Sequence, residues 1–169
     1  GEPQNLFTKP GSIIGASRFN PFKVAELCDA NTNLIRNAML IHKIDALIAI
    51  GGDDTLKTAF ELHKRRININ ATTKTIDDDV DGTDETFGNK TAIQVGTEQA
   101  EGMKLEAEMY DEIAVTETMG RNSGKIALEV GHNAQADITL IPEVAVSREQ
   151  FLSRLREILT SKDSASIVL

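Results

Sequence analysis

The chain has 169 residues, enough for one domain, and its 40% hydrophobic and 26% charged content fits a globular core and excludes a disordered polymer. Its net charge of −8 argues against nucleic acid as a main partner; small phosphates stay open, because a few local cations, a metal or a helix N-terminus suffice for them. No apolar run approaches the ~20 residues that span a bilayer, the N-terminus carries no secretory pattern, and the single cysteine, Cys28, cannot close an internal disulfide, so a reducing, cytoplasmic setting away from membranes is expected.

Residues 1–22 are rich in Gly, Pro, Ser and Asn and read as irregular, with Ser12–Ile14 as a short edge strand. Residues 24–42 place Leu27, Leu34, Ile35, Ala38 and Met39 at helical spacing, with an interruption near Asn31–Asn33. Cys28 falls in this segment and reads as a small buried or half-buried hydrophobe. Ala46–Ile50 is an apolar run of the kind that forms a strand buried on both faces. Leu56–Arg66 reads as a helix whose basic end suits the helix dipole, and Ile67–Ala71 as a strand. A long polar loop, 72–87, leads to a long helix over Asn89–Met109. A strand over Glu112–Thr118, a short helix over Ser123–Val130 and a strand over Asp137–Ile141 follow. The last pair is a helix over Ser147–Leu159, opened by a Ser147/Gln150 capping box, and a strand over Ala165–Leu169. Strands alternating with helices predict an α/β fold: an open, mostly parallel sheet with helices on both faces, in one domain across 1–169. Ligands of such sheets bind beyond the C-terminal strand ends.

Three strand-following loops carry the candidate chemistry. In Gly51-Gly52-Asp53-Asp54-Thr55, paired glycines let the backbone approach a ligand, the next helix aims its amides at a phosphate, and Asp53 suits Mg²⁺. The plainer reading is a Gly-Gly turn with an Asp cap. In Lys74-Thr75-Ile76-Asp77-Asp78-Asp79-Val80-Asp81, four aspartates within five positions repel one another unless cations or donors compensate. One suits a general base toward a sugar hydroxyl, another a metal, and Lys74 suits phosphate charge; the alternative is a solvated acidic turn. Asp77, Asp79, Asp81 and Gly82 also match the start of an EF-hand loop, but its twelfth position, Gly88, should be Glu and a strand precedes it where a helix is required. In Met119-Gly120-Arg121-Asn122-Ser123-Gly124, Gly120 permits close approach and Arg121 suits a phosphoryl group in transfer, or else the segment is a helix cap with an exposed arginine. Glu143, after Pro142, could accept bonds from sugar hydroxyls. His42, His63 and His132 are scattered, and surface or capping roles suit them.

In order and spacing these loops resemble the phosphofructokinase family. IGGDDT is similar to its GGD-[GD]-[ST] loop, KTIDDDVDGTDETFG to its PKTIDND…GTD.TFG loop, ETMGRNSG to its E.MGR.SG loop, ADITLIPE to its sugar-binding strand end, and GSIIGASRFNPF to its Gly-Thr…Leu-Gly-Ser-[SA]-Arg stretch. The resemblance runs through nearly the whole chain. It implies Mg²⁺-dependent phosphoryl transfer from ATP or pyrophosphate to the 1-hydroxyl of fructose 6-phosphate. It also implies Asp77 as general base and Arg121 as the group that steadies the transferring phosphoryl. Asp53 and Asp79 would bind the metal; Thr75, Met119, Gly120 and Glu143 the sugar phosphate. Arg18, Gly51, Gly52, Asp54, Thr55 and Lys74 would meet the donor phosphates.

Asp54, where ATP users of the family usually carry Gly, places a carboxylate in the space of the nucleotide's inner phosphate. Together with Lys74 it favours pyrophosphate, with ATP as the alternative. The departures are specific. The family's Gly-rich donor loop has no counterpart here, nor do its later sugar-phosphate segments, so the expectation is a middle fragment of a longer, homo-oligomeric polypeptide. Asp78 stands where the family usually has Asn, Thr73 where it has Pro, Asn89 where it has Phe, and Glu112 where a basic residue often reaches the neighbouring subunit. These departures also admit a catalytically silent binding or regulatory subunit, or an inactive fragment, of the same fold.

Overall fold

The computed structural model describes Ser12 and residues 15–169. The expected edge strand falls on Ile13 and Ile14, outside the described residues. The chain divides into two compact units, one comprising the chain up to Leu47 with Lys57–Asn70, the other Ile48–Leu56 with Ala71–Leu169.

In the first unit a 3₁₀ turn at Ala25–Leu27 runs into helix α1, Cys28–Ile41. The interruption expected at Asn31–Asn33 is absent. Thr32 returns its hydroxyl to the Cys28 carbonyl at 2.8 Å, and the Asn31 amide donates to the Pro21 carbonyl at 2.8 Å. Both polar side chains thus find partners that leave the helical ladder intact. Cys28 is half-buried, as read. Arg36 donates to the Arg65 carbonyl at 3.0 Å, and the Arg65 guanidinium lies 4.6 Å from the centre of the Phe22 ring. Leu62 and Ile67 are buried here, whereas Leu34, assigned to the apolar stripe, is 66% exposed.

Strand β1 is Leu47–Gly51, helix α2 Asp53–Lys64, and strand β2 Ile69–Thr75. Helix α2 begins three residues earlier than expected, so Asp53 and Asp54 occupy its first turn. Strand β2 extends to Thr75, which moves Lys74 and Thr75 from a loop to a strand end. Strand β3, Phe87–Gly88, pairs parallel with β2, Lys74 opposite Phe87 and Thr75 opposite Gly88. β1, β2 and β3 form a sheet in that order. β1 is not buried on both faces: its exposure alternates, with Ile48 at 74% and Ile50 at 58%. An apolar run fixes a strand's tolerance for cover, while the neighbours decide whether cover is present.

Helix α3 spans Asn89–Tyr110, strand β4 Ile113–Thr116, helix α4 Lys125–Asn133, strand β5 Ile138–Thr139, helix α5 Arg148–Ser161 and strand β6 Ala165–Val168. The α5 capping box is complete: the Gln150 amide donates to Ser147 Oγ at 3.2 Å, and the Ser147 amide to Gln150 Oε1 at 2.8 Å. β6 lies between β4 and β5, parallel to both, and every one of its residues is buried. The architecture is α/β with parallel sheets and helices.

The core of the second unit joins Ala100 of α3, Ile126, Ala127 and Val130 of α4, Ala134 and Val168 of β6, with Ile76 and Ile141 packed on it. Small residues let α4 approach its neighbours closely. A Cβ on Gly131 would stand 2.1 Å from Thr139 Oγ1.

Asp137 fastens β5 to β6. Its carboxylate meets Lys162 at 2.7 Å and accepts from the Ser166 amide at 2.8 Å and hydroxyl at 3.1 Å. Burial pushes this carboxyl up, but Lys162 and Ser166 outweigh burial and hold it below its ordinary value. A depressed folded-state pKa contributes stability above the unfolded pKa of ~3.9, and the contribution disappears as pH falls through the folded value. Asp137→Asn is therefore expected to lower stability at neutral pH by about 1–3 kcal/mol, the typical worth of bonds to a charged group. It should also flatten the acid limb; denaturant midpoints between pH 7 and pH 2 measure both effects.

Candidate active site

The three loops singled out from the sequence all lie in the second unit. The first begins where β1 ends at Gly51. Thr55 folds back so that a Cβ on Gly51 would stand 2.3 Å from its hydroxyl oxygen, and the Thr55 amide donates to the Gly52 carbonyl at 2.9 Å. Asp53 and Asp54 are exposed on the first turn of α2, where acidic groups suit the helix dipole.

The second loop touches the first. A Cβ on Gly52 would lie 3.3 Å from Thr75 Cβ, so the Gly-Gly turn rests against the end of β2. Thr75 Oγ1 accepts from the Asp77 amide at 3.3 Å and donates to Asp77 Oδ2 at 3.3 Å. The loop beyond is pinned from inside: Thr86 Oγ1 donates to the Thr75 carbonyl at 2.7 Å, the Asn89 amide to the Ile76 carbonyl at 2.7 Å, and the Thr86 backbone amide to Asp78 Oδ1 at 2.6 Å. The chain turns at Asp78 with φ 52°, a left-handed conformation that Asp tolerates better than most residues. Lys74 and Asp79 are exposed, while the Asp77 side chain is 15% exposed.

The third loop meets the second at Asp77. Arg121 Nε lies 4.0 Å from Asp77 Oδ2, and the Arg121 side chain is 74% exposed. The loop is tight. Gly120 has φ 152°, and a Cβ there would stand 2.4 Å from the Ser123 carbonyl, so only glycine fits. Arg121 is itself left-handed, with φ 54°. Met119 is exposed. Glu143 Oε1 accepts from the Gly124 amide at 2.8 Å, which ties the strand end after β5 to the start of α4. Helix α4 begins at Lys125, two residues later than expected.

Gly52, Thr75, Asp77 and Arg121 thus form a continuous chain of neighbours, and Gly124 and Glu143 form a second contact beside Arg121 in sequence. Arg18 is exposed in the first unit.

Lys125 belongs to none of the motifs singled out in the sequence. Its ammonium pairs with Asp78 Oδ2. Lys125 holds the Asp78 carboxyl below the usual range, against burial and with Thr86 adding to the effect. One signal was available: a cation on the first residue of a helix opposes the dipole and asks for a carboxylate partner.

The model of the family described as phosphofructokinase matches residues 2–169. The chain belongs to the phosphofructokinase family. Among curated phosphofructokinases, it is 39% identical over 147 residues to the pyrophosphate–fructose 6-phosphate 1-phosphotransferase of Amycolatopsis methanolica, covering 87% of this chain and 42% of the relative. It is 36% identical over 171 residues to the ATP-dependent 6-phosphofructokinase of Chloroflexus aurantiacus, covering 98% of this chain and 48% of the relative. The crystal structure of the pyrophosphate-dependent phosphofructokinase from Marinobacter aquaeolei superposes with a TM-score of 0.83 over 97% of this chain and 43% of that one, at 22% identity, a likeness of fold. The chain spans less than half the length of these phosphofructokinases. Both donor types stand among its relatives.

Proposed function

We propose that these residues form the phosphoryl-transfer centre of a Mg²⁺-dependent 6-phosphofructokinase that uses pyrophosphate, acting on the 1-hydroxyl of fructose 6-phosphate. The observation that carries the reading is the Asp77–Arg121 approach, with Asp77 seated on Thr75 beside the Gly-Gly turn.

The chemistry follows from these groups. Asp77 accepts the proton of the 1-hydroxyl as that oxygen attacks the terminal phosphorus of pyrophosphate, the bridging P–O bond breaks and inorganic phosphate leaves. Arg121 takes up charge that spreads over the equatorial oxygens of the transferring group. Gly51, Gly52, Thr55 and Lys74 receive the donor phosphates at the start of α2. Thr75, Met119, Gly120 and Glu143 border the sugar phosphate.

Among the described residues no three His, Cys, Asp or Glu side chains group as an all-protein cation site. Mg²⁺ typically takes one or two carboxylates and completes its shell with water and phosphate oxygens, and Asp53 and Asp79 supply such a pair. Bound there, the ion would neutralise phosphate charge. The protein as a whole acts as a cytoplasmic homo-oligomer in this reading. Among the described residues, no helix is long and apolar enough to cross a membrane.

The donor preference rests on Asp54, an exposed carboxylate on the first turn of α2. Coulomb repulsion between it and an additional nucleotide phosphate disfavours ATP, whereas pyrophosphate ends before that point. The protein expressed from its complete coding region should turn over fructose 6-phosphate faster with pyrophosphate than with ATP. Asp54→Gly should shift the kcat/KM ratio toward ATP by at least tenfold, on the order of 1.4 kcal/mol. No shift removes the donor argument. Binding of fructose 6-phosphate by calorimetry, without phosphate transfer from either donor, assigns the fold a silent, regulatory role.

A further inference from the structure

We propose that Lys125 is a positioning residue for the reaction, acting through a salt bridge to Asp78 that locks the acidic loop to the helix following the arginine loop. This rests on the functional reading above and extends it to a residue outside the phosphofructokinase motifs.

Three consecutive carboxylates, Asp77, Asp78 and Asp79, must coexist on one turn. Their repulsion is relieved at the middle one. The Asp78 side chain is 4% exposed, accepts from the Thr86 amide at 2.6 Å and pairs with the Lys125 ammonium. A buried carboxylate requires such partners; with one removed, the remaining charge is stranded and the loop must open to rehydrate it.

The two ends of the salt bridge explain its effect on chemistry. Asp78 is the immediate neighbour of Asp77. Lys125 opens α4, four residues after Arg121. The bridge therefore runs alongside the 4.0 Å approach of Arg121 to Asp77 and joins the same two loops at a second point. Two points of attachment fix both distance and orientation, where one leaves the loops free to swivel. The acid and its cation thus form a pair across the two loops.

The test uses the protein expressed from its complete coding region and two variants. Lys125→Met should lower kcat by about 10- to 100-fold, the scale of a misplaced reacting group, with KM for both substrates changed by less than about threefold. Asp78→Asn/Lys125→Met should recover kcat to within about threefold of the parent, because Asn still accepts the Thr86 amide and tolerates the left-handed turn while no charge is stranded. Hydrogen exchange across residues 76–86 should accelerate in the single variant and return in the double. A single variant with kcat within about twofold of the parent, or a double variant no better than the single, overturns the positioning role. If the parent transfers no phosphate at all, the functional reading fails instead. Exchange across 76–86 then decides the salt bridge alone, and equal protection in parent and Lys125→Met overturns it.

Discussion

If Asp77 is the general base proposed above, Asp77→Asn should lower kcat by about 10²–10⁴-fold, the contribution of a positioned general base, and leave the melting temperature within a few degrees of the parent. The substitution is nearly isosteric. Asn keeps an oxygen that accepts from Thr75 Oγ1, and the Asp77 backbone amide still donates to that hydroxyl. What should disappear is the proposed capacity to take a proton from the attacking sugar hydroxyl. The loss should fall on kcat, with KM for fructose 6-phosphate little changed, because the Asn oxygen can still accept a hydrogen bond from the 1-hydroxyl. Steady-state rates with each donor, beside a thermal melt, measure both sides. Activity within about tenfold of the parent would place the base elsewhere and leave Asp77 a structural acid.

Arg121→Gly has the second large expected effect, about 10³-fold or more on kcat, the range of an arginine that stabilises a phosphoryl transition state. Glycine is the informative replacement, because Arg121 holds φ 54° and glycine accepts that backbone at no steric cost. Folding should therefore be unharmed while the guanidinium is lost. Arg121→Lys keeps the charge without the planar fork and should fall between the two. Since Arg121 and Asp77 are neighbours, the double variant should lose less than the product of the single losses. A fully multiplicative loss would show that the two groups act independently.

Apart from β3, which lies at the end of the segment expected as a loop, the order of strands and helices was legible in the sequence because strands and helices differ in period and because the caps are local. The Ser147–Gln150 box needs only four residues and formed as read. Errors arose where the deciding contact was distant. Thr72–Thr75 look like loop residues by composition, yet they complete β2 because β3 pairs with their end. The apolar run of β1 foretold cover on both faces, while Ile48 and Ile50 face outward among the described residues. At the site, glycine, aspartate and arginine were legible as residue types suited to phosphate. That Thr75 seats Asp77, and that Lys125 reaches Asp78 from 47 positions away, are tertiary facts with no local pattern.

Two residues of the site, Asp78 and Arg121, hold left-handed backbones, which non-glycine residues adopt at some energetic cost. That cost is met during folding, when packing and the hydrogen bonds of Thr86 and Gly120 force both turns. Little conformational search is then left for the moment of encounter. On the proposed function, a site assembled this way would spend ligand binding energy on the barrier instead of on ordering its own loops. Its rate should accordingly be sensitive to substitutions that relax a turn, even where no atom facing the ligand has changed.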